Sequence, residues 1–297
     1  MSANGSVSAE ELMAITASRL LADHKVVFAG VGMPLLASAV ARHIHAPHLT
    51  IVLEGGIIGT SLRPGQLPIS TNEMRAAYGA QMLTDITDIF LYAQRGYFDY
   101  GFLGAAQVDM YGNINTSVIG SLEHPRVRLP GTGGANDIIS LCNEVLIVTA
   151  HEPRRFVERV DYITSPGYLS GGDSRARAGL VAGRLGAVVT DLALLDFEPD
   201  SKRMRLRALQ AGVTVAQVRA QTGFDLLVGE EVGDLRPPSA QELAIYRELR
   251  DGPPAGAAEE SGATLAEPAA GARSGPLAEP AVGAATAAAE PVAAGPA

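Results

Sequence analysis

The chain has 297 residues, 47% of them hydrophobic, with a mean hydropathy of +0.14 and a formal net charge of −9. That length suits one large domain or two modest ones around a buried core, and the acidic excess argues against general nucleic-acid affinity, which needs a basic face. Met1 to Glu10 lack a basic start followed by an apolar stretch, and no apolar run approaches the roughly twenty residues that span a bilayer, so a cytoplasmic protein with no membrane role is expected.

Ser8 followed by Glu11, ahead of apolar residues at helical spacing, predicts a helix over Ser8 to Leu21. Lys25 to Phe28 is β-rich and runs into Gly30, Gly32 and Pro34, giving a strand, a tight turn and a helix from Leu35 to His43. The turn lacks the third glycine and downstream acid of a dinucleotide fingerprint, and Gly30 is a candidate substrate contact beside an active site. His24, His43, His45 and His48 surround this helix end without metal-ligand spacing, so they are expected to face solvent and no metal is expected. Leu49 to Leu53 repeats the strand signal, and Ile86–Leu91, Tyr100–Leu103, Glu144–Thr149 and Val188–Asp191 recur as short apolar runs between helical or glycine-containing stretches. This alternation predicts an α/β fold with a largely parallel sheet.

Cys142, the single cysteine, excludes an internal disulfide or thiolate cage and reads as a packed core thiol. Leu194 to Arg207 reads as a late β-hairpin, and Thr214–Gln221 and Ser239–Arg250 as short capped helices. After Gly252 the composition becomes Ala, Pro, Gly and Glu, and Leu265–Ala269 returns as Leu277–Ala281. Residues 1–251 are thus expected to form one domain and 252–297 a disordered tail.

Two segments carry chemistry. Glu54 ends the apolar run Ile51–Leu53 and precedes Gly55 and Gly56, which let another chain or a ligand approach the backbone. Gly131-Thr132-Gly133-Gly134-Ala135-Asn136-Asp137 can expose several amides to an anion or a polarised carbonyl. Gly133, Gly134 and Ala135 are the candidate donors to an oxyanion or a ligand, which the resemblance described below would make CoA, with Asn136 and Asp137 holding the loop or starting a helix. Taken alone, Glu54 reads as a strand-end carboxylate that caps a helix or pairs with an arginine; with the loop, it suggests acyl chemistry. Gln107 and Asp109 either line an acyl pocket or organise a turn, and Arg126 and Arg128 either meet CoA phosphates or a substrate carboxylate, or form a solvated face. An unperturbed glutamate, with a pKa of about 4.3, is ionised near neutral pH and can attack a thioester carbonyl. The resulting mixed anhydride and thiolate then exchange into a glutamyl thioester without ATP or metal.

With Leu103–Asn115, His151–Phe156, Asp161–Gly167 and Thr222–Leu226, these segments resemble, in order and spacing, the β subunit of a class I CoA-transferase of the glutaconate CoA-transferase type. The resemblance spans most of Ser8 to Arg250. It implies a three-layer α/β unit that pairs with a similarly folded α subunit in a hetero-oligomer, with the active site at their interface. It also implies Glu54 as the nucleophile that carries CoA as a γ-glutamyl thioester between an acyl-CoA and a carboxylic acid. Coenzyme A then enters as a substrate thioester and no cofactor is held permanently. Glu-Gly-Gly stands where relatives commonly have Glu-Ser-Gly or Glu-Asn-Gly, and Leu53 replaces a serine favoured by 3-oxoacid transferases, which weakens assignment to that branch and leaves the reacting carboxylate intact. Two alternatives keep the scaffold: a CoA-ester hydrolase or hydrolytic carbon–carbon cleaving subunit, and a non-catalytic CoA- or nucleotide-binding subunit.

Overall fold

A computed structural model of the chain describes residues 7–253. From residue 254 onward the expected tail lies outside the described residues. Ser8 caps α1 (Ala9–Ser18): its hydroxyl accepts from the Glu11 amide and the Glu11 carboxylate accepts from the Ser8 amide. β1 (Val26–Phe28) passes through Gly32, at φ 79°, into α2 (Met33–Ile44), whose first turn holds Pro34. β2 (Thr50–Leu53), β3 (Ile57–Ile58) and β4 (Met82–Leu83) then build one side of the sheet.

The run at Ile86–Leu91 is not a strand. It forms most of α3 (Ile86–Gln94), because the Asp85 carboxylate caps the Asp88 amide and Ile89 and Ala93, four residues apart, bury one helical face. β5 (Tyr100–Leu103) returns to the sheet, followed by two small antiparallel ribbons: β6 (Gln107–Val108) with β7 (Ile114–Asn115), and β8 (Val118–Gly120) with β9 (Pro125–Arg128). Next come α4 (Ala135–Leu141), β10 (Glu144–Val148), a single turn α5 (Ser174–Arg177) and β11 (Arg184–Val189). The expected hairpin is β12 (Ala193–Phe197) with β13 (Met204–Leu209), paired from Ala193↔Leu209 to Phe197↔Met204. α6 (Val215–Ala220), β14 (Leu227–Asp234) and α7 (Ala240–Asp251) complete the described chain.

The sheet runs β14-β13-β12-β11-β10-β5-β1-β2-β3-β4. β11, β10, β5, β1 and β2 are mutually parallel; antiparallel pairings join β12 to β11 and β13 on one flank and β3 to β2 and β4 on the other, and β14 pairs parallel with β13. Along the parallel strands alternate residues enter different cores. Val27, Ile51, Leu53, Phe102, Leu146 and Val189 pack on the face carrying α1 and α2, while Phe28, Val52, Leu103, Val145, Ile147 and Val188 pack on the face carrying α3 and α4. These are the three layers the resemblance implies. Among the described residues no helix is long and apolar enough to cross a membrane.

α7 closes the first layer, with Tyr246 and Leu249 packed against Ala14, Leu36 and Val40. Two ion pairs fasten it. Arg247 Nε donates to Glu11 Oε1 at 2.6 Å, and Arg19 grips Glu242 through Nε–Oε1 and Nη2–Oε2, both 2.8 Å. Burial alone pushes the Glu242 carboxyl up, but the Arg19 guanidinium and the Ser239 amide and hydroxyl outweigh it and bring it to about 2. This folded value lies below 4.5, so the stabilisation is complete above that pH and is lost as pH falls toward 2. Arg19→Met takes the two-pronged guanidinium from a buried carboxylate, leaving it the Ser239 amide and the 3.3 Å contact with exposed Arg236, and should cost about 2 kcal/mol at neutral pH. Urea unfolding of the two proteins should give that gap at pH 7, and the gap should close as the pH is lowered through that window; a gap independent of pH rules out this origin.

Candidate active site

Glu54 is the first residue beyond β2, at the carboxyl ends of the parallel strands, where open α/β sheets place their ligands. The glycines after it are required by packing. A methyl group at Gly55 would lie 2.4 Å from the Thr71 carbonyl oxygen, and one at Gly56, whose φ is 96°, would lie 2.1 Å from that of Thr84. The close approach anticipated there is thus made by the protein's own residues 71–72 and 84, and the Thr84 amide donates to the Gly56 carbonyl at 2.7 Å. The backbone carrying Glu54 is clamped by these neighbours.

The glycine loop is brought to the same place. A methyl group on Gly134 would meet Glu54 Oε1 at 3.0 Å and Phe90 Cζ at 2.8 Å, so the carboxylate rests against a position that has room for no side chain. Gly131 (φ 97°) and Gly133 (φ 48°) take the left-handed conformations that bend the loop into α4. Among the described residues nothing accepts from the amides of Gly133 or Gly134. Ala135 differs from expectation: its amide donates to the Thr132 carbonyl at 2.9 Å, because the loop closes a turn just before the helix, and this donor is already engaged. Asn136 holds the loop through Nδ2 to the Thr164 carbonyl at 3.0 Å, and Asn136 and Asp137 lie in the first turn of α4.

Glu54 is half-buried, and among the described residues it forms no ion pair or hydrogen bond and caps no helix. Burial, followed by the negative charge of Asp137, raises its pKa above the usual 4.5. An ionised carboxylate held without a cation is poorly solvated and correspondingly nucleophilic.

Gly30 follows Ala29, whose amide bonds the Val52 carbonyl, so it lies at the end of β1 beside the Glu54 strand end; a methyl group there would meet nothing within 4 Å. Gln107 is buried, accepting from Asn115 Nδ2 at 2.7 Å and donating to Asp161 Oδ2 at 3.2 Å, so its amide serves an internal network. Asp109 is also internal, accepting from the Tyr111 and Asn113 amides, and burial raises its pKa despite those bonds. Arg126 and Arg128 lie exposed on β9, in the ribbon that precedes the glycine loop. Cys142 is a core thiol, pushed up to about 12 by burial. His24, His45 and His48 are exposed, whereas His43 is half-buried with Nδ1 2.8 Å from the Ala39 carbonyl. Asp23 joins His24 and His48 into a stacked cluster with ring centroids 4.3 Å apart, a proximity the spacing of those residues did not show. Phe90 was also missed, and reading Ile86–Leu91 as a helix would have placed it one turn beyond Ile86.

Residues 10–221 match the family model for coenzyme A transferase. The chain is 40% identical over 243 residues to the β subunit of 3-oxoadipate CoA-transferase from Pseudomonas knackmussii, covering 82% of this chain and 93% of that one. It is 35% identical over 249 residues to the β subunit of glutaconate CoA-transferase from Acidaminococcus fermentans, covering 82% and 92%. The crystal structure of glutaconate CoA-transferase from Acidaminococcus fermentans superposes with a TM-score of 0.77 at 31% identity, covering 84% of this chain and 95% of that chain. One of these relatives is named for a 3-oxo acid, so Leu53 by itself does not separate the chain from all such transferases; likeness along the whole chain outweighs one position. Sequence, fold and the meeting of Glu54 with the glycine loop agree, and the chain belongs to the coenzyme A transferase family.

Proposed function

We propose that this chain is the β subunit of a heteromeric CoA-transferase in which Glu54 carries CoA between two carboxylic acids. The observation that bears most weight is a half-buried carboxylate that has no cationic partner among the described residues and is set against Gly134. A Glu54 oxygen attacks the acyl-CoA carbonyl carbon, and the carbon–sulfur bond breaks to give a mixed anhydride and CoA thiolate. The thiolate attacks the Glu54 carbonyl carbon, releasing the first acid as its carboxylate and leaving the glutamyl thioester. A second carboxylate attacks that thioester, and the returning thiolate takes the new acyl group and frees Glu54. Each addition puts negative charge on a carbonyl oxygen, for which the Gly133 and Gly134 amides are available donors. Coenzyme A enters this scheme as a substrate thioester, and each step is completed by carboxylate and thiolate groups alone. Glutaconate and 3-oxoadipate, for which two relatives are named, are dicarboxylic acids, so monothioesters of dicarboxylic acids are the first substrates to test.

A second chain is needed to finish the cleft. β4 is the open edge of the sheet, and Ile69, Met74, Met82, Leu83 and Ile86 around it are exposed. This apolar segment includes Thr71 and Thr84, which pack on the glycines after Glu54, so an α subunit docking there would reach the carboxylate.

Three outcomes follow for the complex co-expressed with its α subunit. Mass spectrometry after acyl-CoA and hydroxylamine should find the modification on Glu54, and Glu54→Gln should lower turnover at least about 10³-fold; an unmodified Glu54 in an active complex ends the mechanism. The carboxylate form is the reactive one, so activity falls as pH drops through the raised pKa. Asp137→Asn removes a charge that raises it, so the acid limb of the pH–rate profile should move to lower pH, and an unmoved limb removes Asp137 from the account. Leu83→Glu should prevent association on size exclusion while this chain keeps its own melting transition; a complex of wild-type size would place the partner elsewhere.

A further inference from the structure

The glycine loop is held at two points that belong to no part of the reaction just described. At its start Gly131 is gripped on both polar atoms by one residue: the Gly131 amide donates to the Thr116 carbonyl at 2.8 Å, and Thr116 Oγ1 donates to the Gly131 carbonyl at 2.7 Å. At its end Asn136 Nδ2 donates to the Thr164 carbonyl at 3.0 Å. The two anchors are joined, because the Thr116 amide donates to Thr164 Oγ1 at 2.9 Å. Gly133 and Gly134, with their unpartnered amides, lie between them.

The anchors stand on a rigid base. Asn115 is fully buried, and its Oδ1 accepts from the Ser117 and Val118 amides while its Nδ2 reaches Gln107 and the Val118 carbonyl. Ser117 Oγ lies 2.8 Å from Thr164 Oγ1. Asp161 ties the same base to the neighbouring ribbon by accepting from the Gly120 amide at 2.8 Å and donating its own amide to Gln107 at 3.1 Å. Between Gly131 and Gly134 the one side chain is that of exposed Thr132, and Ala135 beyond them packs on the core, so the position of these glycines relative to Glu54 depends strongly on these bonds.

We infer that Thr116 and Thr164 are positioning residues that set where the Gly133 and Gly134 amides stand relative to Glu54, so that the hydroxyl of Thr116 governs the rate of acyl transfer without touching the substrate. This rests on the transferase reading above. Displacement of a reacting group by about 1 Å can cost about 10²-fold in rate, whereas substrate binding elsewhere in the cleft is unaffected.

The test is steady-state CoA transfer in the co-expressed complex, with thermal melting of the same samples. Thr116→Val keeps the shape and removes the hydroxyl. It should lower kcat at least about 10-fold with KM for the acyl-CoA within about threefold, while Thr116→Ser restores kcat. A structural role alone would lower the folded fraction and leave kcat per folded complex unchanged, which overturns the inference, as does a Thr116→Val enzyme with wild-type kcat. Should Thr116→Val not assemble, Asn136→Ala releases the other anchor and must show the same selective loss of kcat, and its absence is equally decisive. Failure of the transferase reading looks different: it is turnover that survives Glu54→Gln, whatever the threonine variants do.

Discussion

A carboxylate without a counter-ion, pressed against a glycine, is the arrangement on which the rest of this molecule depends. Glu54 ionises at a cost, because burial and the charge of Asp137 both oppose the anion. For a carboxyl whose folded pKa is raised, stability is present below the ordinary value and lost as pH rises through the raised one, so at neutral pH the site draws on the stability of the fold. The compensation lies at a distance. Glu11 and Glu242 are also buried carboxylates, but each is gripped by an arginine that holds its pKa down, and both join α1 to α7 on the outer face of the sheet. Similar side chains thus have opposite energetic roles, set by whether a guanidinium is placed beside them.

Keeping such a carboxylate in place requires a stiff support. Leu53 is fully buried on β2, which is hydrogen-bonded to β1 on one side and β3 on the other, so Glu54 projects from a strand end with little freedom. Its next two residues have no side chains, and Thr71, Asn72 and Thr84 close on the backbone at distances no Cβ could tolerate. Glycine acts here as a packing residue. In the loop from Gly131 it acts differently, supplying left-handed conformations at Gly131 and Gly133 and an unobstructed approach at Gly134.

Local signals in the sequence account for the elements that local physics decides. The capping boxes at Ser8 and Ser239 depend on residues three positions apart, and the hairpin of β12 and β13 on a polar turn between two apolar runs, so each is visible in a short window. Ile86–Leu91 misleads because an apolar run of that length fits either a buried strand or a helix, and Asp85, the cap that decides it, precedes the run. β14 was not apparent because Leu227–Asp234, with two glycines and adjacent acids, lacks alternation and becomes a strand only by pairing with β13. At the site, Glu54 and the glycine loop are legible as residue types suited to acyl chemistry. The engagement of the Ala135 amide and the internal role of Gln107 are not, since both depend on hydrogen-bond partners that only the folded chain brings together.

The geometry also gives a physical reason for dividing the proposed chemistry between two chains. Both intermediates of the proposed reaction are activated acyl groups that water would destroy, so the cleft must be dry while they exist. Yet this chain leaves Glu54 half-exposed, and the loop bearing Gly133 is open to solvent. The apolar segment from Ile69 to Ile86 and the edge of β4, unpaired among the described residues, would be a liability in a protein that worked alone, because an exposed strand edge beside large apolar side chains invites non-specific association. A partner that covers this segment removes the liability and excludes water from the carboxylate in the same step. Assembly and protection of the proposed thioester would then be one event, since an unassembled chain, holding Glu54 in an open half-cleft, has no enclosure in which to keep an activated acyl group from water.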